Sequence, residues 1–161
     1  MGIVQSKYKY VEAVAVVANG KIKGTVIFKQ KDDYVKIYID VSGLSNDHKH
    51  GFHIHEAGDL RDGCTSCCAH YNPTYTDHSG LDGGHAGDLG NIETNSSGIC
   101  TMTLKTDKFC VDDIIGRSII IHEDEDDLGL GSYNDSHTTG HSGARIACSV
   151  IGISKETNDK N

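Results

Sequence analysis

Apolar and polar residues alternate along much of this chain. Val35, Ile37, Ile39 and Val41 interleave with Lys36, Tyr38 and Asp40, a period of two that belongs to a half-buried strand. Val11 to Val17, mostly valine and alanine, and Ile22 to Phe28 read as two more strands. Asn19-Gly20 between them is a hairpin signal, because both central positions of a type I′ turn need positive φ. Ser42-Gly43 turns the chain into a strand through His50 to His55. Further on come Asn91 to Thr94, a turn at Asn95-Ser96-Ser97-Gly98, and Ile99 to Leu104 with Cys100, Met102 and Leu104 on one face. Ser118 to His122 and Arg145 to Ile153 complete the set. Two long polar stretches, 56–88 and 123–143, interrupt it. A long connection without secondary structure in a compact domain is usually functional. About eight short strands with turn signals and no amphipathic helix predict an all-β sandwich or barrel. A single domain over 11–154 follows, with a flexible leader at 1–10 and a flexible tail at 155–161.

The totals narrow the function. The 161 residues are 37% hydrophobic and 24% charged, a globular composition. A net charge of -8 excludes nucleic acid and an anionic membrane surface as partners. No apolar run reaches membrane-spanning length, and the N-terminus lacks the features of a signal peptide. The expected location is cytoplasmic. Met1-Gly2-Ile3-Val4-Gln5-Ser6 fits the short N-myristoylation pattern at Gly2; a plain disordered tail is the simpler reading.

Ten histidines change the picture. His53, His55, His70, His78, His85 and Asp88 are spaced H-x-H-x14-H-x7-H-x6-H-x2-D, the last four inside the first long stretch, and His122 follows. Nitrogen ligands with one carboxylate and no close thiolate pair suit zinc or copper. His53 and His55 share one face of a strand, so both reach one metal.

Several motifs together resemble the copper/zinc superoxide dismutases. They include Gly51-Phe52-His53-Ile54-His55-Glu56, Gly63-Cys64-Thr65-Ser66, His70-Tyr71-Asn72-Pro73, Gly87-Asp88-Leu89-Gly90-Asn91, Ile114-Ile115-Gly116-Arg117 and Ala144-Arg145-Ile146-Ala147-Cys148. The resemblance runs over roughly Val11 to Ser154. It implies an eight-stranded Greek-key β-barrel, in a family that is itself a reference example of the immunoglobulin-like sandwich. It implies a copper site of His53, His55, His70 and His122, and a zinc site of His70, His78, His85 and Asp88. His70 is then a bridging imidazolate, whose second proton two cations help to remove. The implied reaction converts superoxide to dioxygen and hydrogen peroxide by copper redox cycling, with His70 delivering a proton and Arg145 holding the anion. Asp126 joins His53 to His78 as an outer carboxylate. Cys64 pairs with Cys148. His50 is a packing residue, and His48, His137 and His141 are solvated.

The sequence departs from the family pattern in places. Cys67-Cys68 stand where small residues are common; inert thiols are the simpler reading, and the alternatives are that their bulk shifts Arg145 or that they compete with Cys64. The zinc loop is short between His78 and His85. Leu130 and Thr138 stand where many members carry lysines that attract superoxide, which predicts weak steering. Gly58, Ile114, Ile115, Gly116, Val150, Gly152 and Ile153 match a dimer patch, so a homodimer is expected. The alternatives are a dismutase-like copper chaperone module and a non-catalytic copper/zinc-binding protein. The complete histidine set and Arg145 speak against both. A copper chaperone is a possible partner that the sequence does not require.

Overall fold

The structure, a computed structural model, describes residues 8–158. Among them are ten strands: β1 (Glu12–Asn19), β2 (Ile22–Gln30), β3 (Val35–Ser42), β4 (Lys49–His55), β5 (Arg61–Cys64), β6 (Asp88–Glu93), β7 (Cys100–Thr106), β8 (Ser118–His122), β9 (Arg145–Val150) and β10 (Gly152–Ile153). Nine form two antiparallel sheets, in the orders β10-β1-β2-β3-β7 and β6-β4-β8-β9. The architecture is the expected all-β one, with two strands beyond the eight predicted.

One extra strand comes from a break in the last predicted one. β9 pairs with β8 in one sheet, and β10 pairs with β1 in the other. Ile151 between them bonds instead to Gly116 and Arg117 through its backbone. The other is β5, inside the stretch read as structureless. Two single helical turns, α1 (Val111–Ile114) and α2 (Ser136–Thr139), are too short to show a helical period in sequence.

The first hairpin is one residue out of the predicted place. Asn19 pairs with Ile22, so the two-residue loop is Gly20-Lys21, and of these only Gly20 has a positive φ, +60°. That is the pattern of a type II′ turn. Asn19 stays in the strand, where its side-chain oxygen accepts from the Cys148 N–H at 3.2 Å.

Tyr8 donates to the Asp32 carbonyl, and the Lys9 and Tyr10 N–H groups bond the Asp112 carboxylate, so residues 8–10 are tied to the domain. Lys155–Asn158 form a 3-10 turn. Gly2, the candidate for myristoylation, lies outside the described residues.

The core lies between the sheets. Val35, Ile37, Ile39 and Val41 are all buried, as their alternation predicts, and meet Ala13, Ala15, Phe28, Phe52, Ile54, Ile119 and Ile121. Each large side chain buried this way contributes about 1.5–3 kcal/mol. β4 and β8 are buried on both faces. Phe52 and Ile54 face the core, so His53 and His55 face outward, under the two long loops. Ile120 points outward with them and packs against Cys67, Cys148 and Cys64.

Cys64 and Cys148 are disulfide-bonded across 84 residues of sequence. Closing a loop of that length is worth about 4–5 kcal/mol in the chain-entropy model. The other four cysteines are free, so reductant acts on this bond alone. Denaturant unfolding of the metal-free protein is expected to show that loss of stability on reduction; an unchanged midpoint would refute it.

Candidate metal centre

Strand geometry brings the first four histidines together. His53 and His55 lie on the outer face of β4, paired with Ile120 and Ser118 of β8. The register shifts between Ile121 and His122, and His122 sits opposite Arg145. His70 arrives on a segment that runs antiparallel to the end of β4, with a bridge between His55 and His70 and a bond from the Tyr71 N–H to the Ile54 carbonyl. One ring nitrogen from each of His53, His55, His70 and His122 lies within 4.8 Å of the others, and all four residues are buried.

The second nitrogen of each ring is occupied. His55 Nδ1 donates to the Cys68 carbonyl at 2.8 Å and His122 Nδ1 to the Gly143 carbonyl at 3.2 Å. His53 Nε2 bonds Asp126 at 2.7 Å. These acceptors leave lone pairs at His53 Nδ1, His55 Nε2 and His122 Nε2. Those three atoms and His70 Nε2 are buried without any hydrogen-bond partner. A buried polar atom left unpaired costs about 1–3 kcal/mol, so four converging ones fit a metal. Burial pushes His53, His55 and His70 below the ordinary histidine pKa and His122 to about 4. Burial thus favours the neutral ring, the form that binds a metal.

A second cluster lies on the far side of His70. Asp88 Oδ1 is 2.9 Å from His70 Nδ1, 3.0 Å from His78 Nδ1 and 3.1 Å from His85 Nδ1. The His70 and His85 Nδ1 atoms are 3.2 Å apart. Four ligands at zinc's bond lengths in a tetrahedron have edges of about 3.3 Å, so this N3O set suits zinc. His53 also comes within 4.8 Å of His70, His78 and Asp88. Its Nε2 is taken by Asp126, however, and its Nδ1 faces the other cluster, so His85 is the better fourth member. Asp88 is oriented by N–H bonds from Ser79 and His85 to its other oxygen. Burial raises its pKa, but the bonds from His70, His78 and His85 outweigh that and hold it well below the carboxylate range. Burial lowers His78, while its bonds to Asp126 and Asp88 prevail and raise it to about 9.

Asp126 spans the two clusters, with its oxygens 2.7 Å from His53 Nε2 and 2.8 Å from His78 Nε2. Two residues to which the sequence assigned no role fix it. Asn91 bonds the Asp126 backbone at both N–H and carbonyl. Gly140, with φ +68°, leaves room that a Cβ would fill, 2.0 Å from Asp126 Oδ1 and 2.4 Å from His78 Nε2. His50 Nδ1 bonds the His122 carbonyl at 2.7 Å from a buried position. His48 is half-buried against the Glu123 carbonyl, His137 is exposed, and His141 bonds Asp135 and stacks on Tyr133.

Arg145 is half-buried, its Nη1 2.8 Å from the Cys64 carbonyl and its Nη2 2.7 Å from that of Cys68. Cys67 and Cys68 leave these bonds in place. Cys67 is buried beside the disulfide, and the Cys68 thiol points out to solvent. Nor do they displace Cys64 from its bridge. Cys68 has a φ of +65°, a conformation that favours glycine, yet its carbonyl serves both His55 and Arg145. Leu130, 85% exposed, and Thr138 leave the second loop uncharged at the expected lysine positions.

Comparison with known proteins agrees with this geometry. The family model for copper/zinc superoxide dismutase matches residues 22–151. A superoxide dismutase [Cu-Zn] of Paramecium bursaria Chlorella virus 1 is 50% identical over 155 residues, covering 92% of this chain and 81% of the viral protein. An extracellular superoxide dismutase [Cu-Zn] of Drosophila melanogaster is 50% identical over 142 residues, covering 84% and 78%. The solved structure of the clock protein EA4 superposes with a TM-score of 0.88 at 35% identity, covering 94% of this chain and all of that one. Four partnerless imidazole nitrogens and an adjoining N3O cluster thus occur in a chain half identical to named dismutases. It belongs to the copper/zinc superoxide dismutase family, an oxidoreductase that uses copper and zinc to convert superoxide to dioxygen and hydrogen peroxide.

Proposed function

We propose that His53, His55, His70 and His122 hold copper, that His70, His78, His85 and Asp88 hold zinc, and that His70 serves both. The observation that carries this reading is the convergence of four unpartnered buried nitrogens on one side of the His70 ring and the N3O set on the other. Copper, when bound, supplies the one-electron redox change that dismutation needs. His70 Nε2, whenever it is not holding the metal, would carry one of the two protons that superoxide takes up on becoming hydrogen peroxide, and solvent would supply the other. Arg145 holds the incoming anion, because a planar guanidinium fixed by two carbonyls presents its remaining donors in one geometry. With Leu130 and Thr138 uncharged and a net charge of -8, Arg145 and the copper, when bound, are the main local attraction for the substrate.

Chain reconstituted with one copper and one zinc is expected to dismute superoxide. Arg145→Ala should lose roughly 10-fold or more of kcat/KM, within the 10–10³-fold range of electrostatic steering for which this family is a reference case. The rate should fall less with added salt than in lysine-bearing members. Full metal occupancy without turnover, or an unaffected Arg145→Ala protein, would overturn these assignments.

Asp126 orients one imidazole on each side. His53 is also held by its strand, whereas His78 lies on a loop, so the zinc side depends on Asp126 more. Asp126→Asn should weaken zinc by about 10–100-fold, as loss of an outer partner typically does. Zinc retained through dialysis as in wild type would refute that.

The reading extends to a homodimer through Ile115, Val150, Gly152 and Ile153, of which Val150 and Ile153 are 37% and 50% exposed. Ile114, placed in that patch by sequence, is fully buried and belongs to the core. A cytoplasmic location is supported by the free thiols at exposed Cys68 and half-buried Cys110, which suit a reducing compartment. No helix among the described residues is long and apolar enough to cross a membrane. Light scattering at micromolar concentration should give twice the 17.3 kDa chain mass, falling to one chain in Ile153→Asp; a wild-type monomer would end the dimer reading.

A further inference from the structure

The loop carrying His78 and His85 has almost no ladder partners, so its carbonyls need others. Four of them converge on one side chain. Lys108 lies just beyond β7, between buried Thr106 and Phe109. Its Nζ donates to the carbonyls of Gly83 at 2.8 Å and His85 at 2.9 Å, and to that of Asp88, with the Gly80 carbonyl at 3.5 Å. An ammonium has three N–H donors, so the three near carbonyls saturate it. Two of those carbonyls belong to His85 and Asp88, whose side chains supply half of the N3O set. Lys108 itself is half-buried. Burial pushes its pKa below the ordinary value, and the charges of Asp88, Asp82 and Asp107 oppose that.

The short spacing from His78 to His85 gives this post its leverage. Lys108 reaches the carbonyls of this loop from the end of a sheet strand. A backbone pinned at Gly83, His85 and Asp88 leaves the last two side chains little freedom. Their ligand atoms are then converged before any ion arrives, which lowers the ordering cost of binding.

We propose that Lys108 is a positioning residue for the zinc site, its ammonium holding the backbone of His85 and Asp88 in the zinc-binding arrangement. This rests on the zinc assignment made above. A lysine that merely anchors a surface loop would affect stability alone; a positioning residue affects zinc selectively.

The test compares Lys108→Met with wild type at fixed pH, in the full chain with the disulfide intact. Zinc affinity is read by chelator competition, and amide exchange and the denaturation midpoint are read on metal-free protein. Lys108→Met is expected to raise the zinc Kd by about 10–100-fold, the usual effect of removing an outer partner. Faster exchange should be confined to 79–88, with the metal-free midpoint and the exchange of β1 to β4 unchanged. Lys105→Met, which removes an ammonium lying over the Tyr34 ring, should leave all readings at wild-type values. If Lys108→Met does not fold, Lys108→Gln is read in the same way. A zinc Kd within about threefold of wild type, well short of that usual effect, overturns the proposal. So does zinc loss accompanied by faster exchange throughout the sheets. Wild-type protein that binds no zinc would overturn the zinc assignment and this inference with it, whereas tight wild-type binding unchanged in the variants overturns this inference only.

Discussion

An imidazole has two ring nitrogens, and a buried one that is to bind a metal must have the other engaged. Much of the two long loops answers to that constraint. Cys68 and Gly143 supply carbonyls to His55 and His122, and Asp126 supplies one oxygen to His53 and the other to His78. The acceptors come from segments far apart in sequence, so the loops must fold against the sheet before any tautomer is set. His70 is the exception, with Nδ1 toward Asp88 and Nε2 left open on the other side. Each added acceptor raises the cost of moving its neighbours. Asn91 and Gly140 matter because they leave Asp126 one place to stand.

The same economy shows in Cys68. One carbonyl accepts from a ring of the nitrogen cluster and from Arg145. Backbone can do this only in a conformation that brings the carbonyl round, and here a non-glycine residue adopts it at φ +65°. Strain of that kind costs on the order of 1–3 kcal/mol and persists where the surroundings over-determine it. The disulfide beside it and the two donors on its carbonyl are such surroundings.

Most of the fold was legible because burial on one face leaves a trace of period two. β3 shows it plainly, each apolar residue buried and its neighbours not. Elements of four residues or fewer, such as β5, α1 and α2, hold too few positions for any period. The first hairpin was misplaced by one because Asn19 favours turns, yet its side chain is spent on β9. The residues of the two clusters were legible from residue type and spacing together with family likeness. Which nitrogen of each ring is free was not, since the answer lies in carbonyls that carry no residue identity. Lys108 was silent for the same reason, because all four of its partners are backbone. Ile114 misled because an apolar residue beside a glycine looks alike in a patch and in a core.

The break at Ile151 bears on the order in which the molecule can be assembled. β1 takes its outer partner from β10, so one edge of the first strand made stays open until the last strand of the two sheets leaves the ribosome. The same closing segment carries Arg145 and Cys148. Sheet closure, the covalent tie and the Arg145 guanidinium therefore arrive in a single late event. A nascent chain short of that segment has its histidines but no finished pocket, and exposes a strand edge that other chains can pair with.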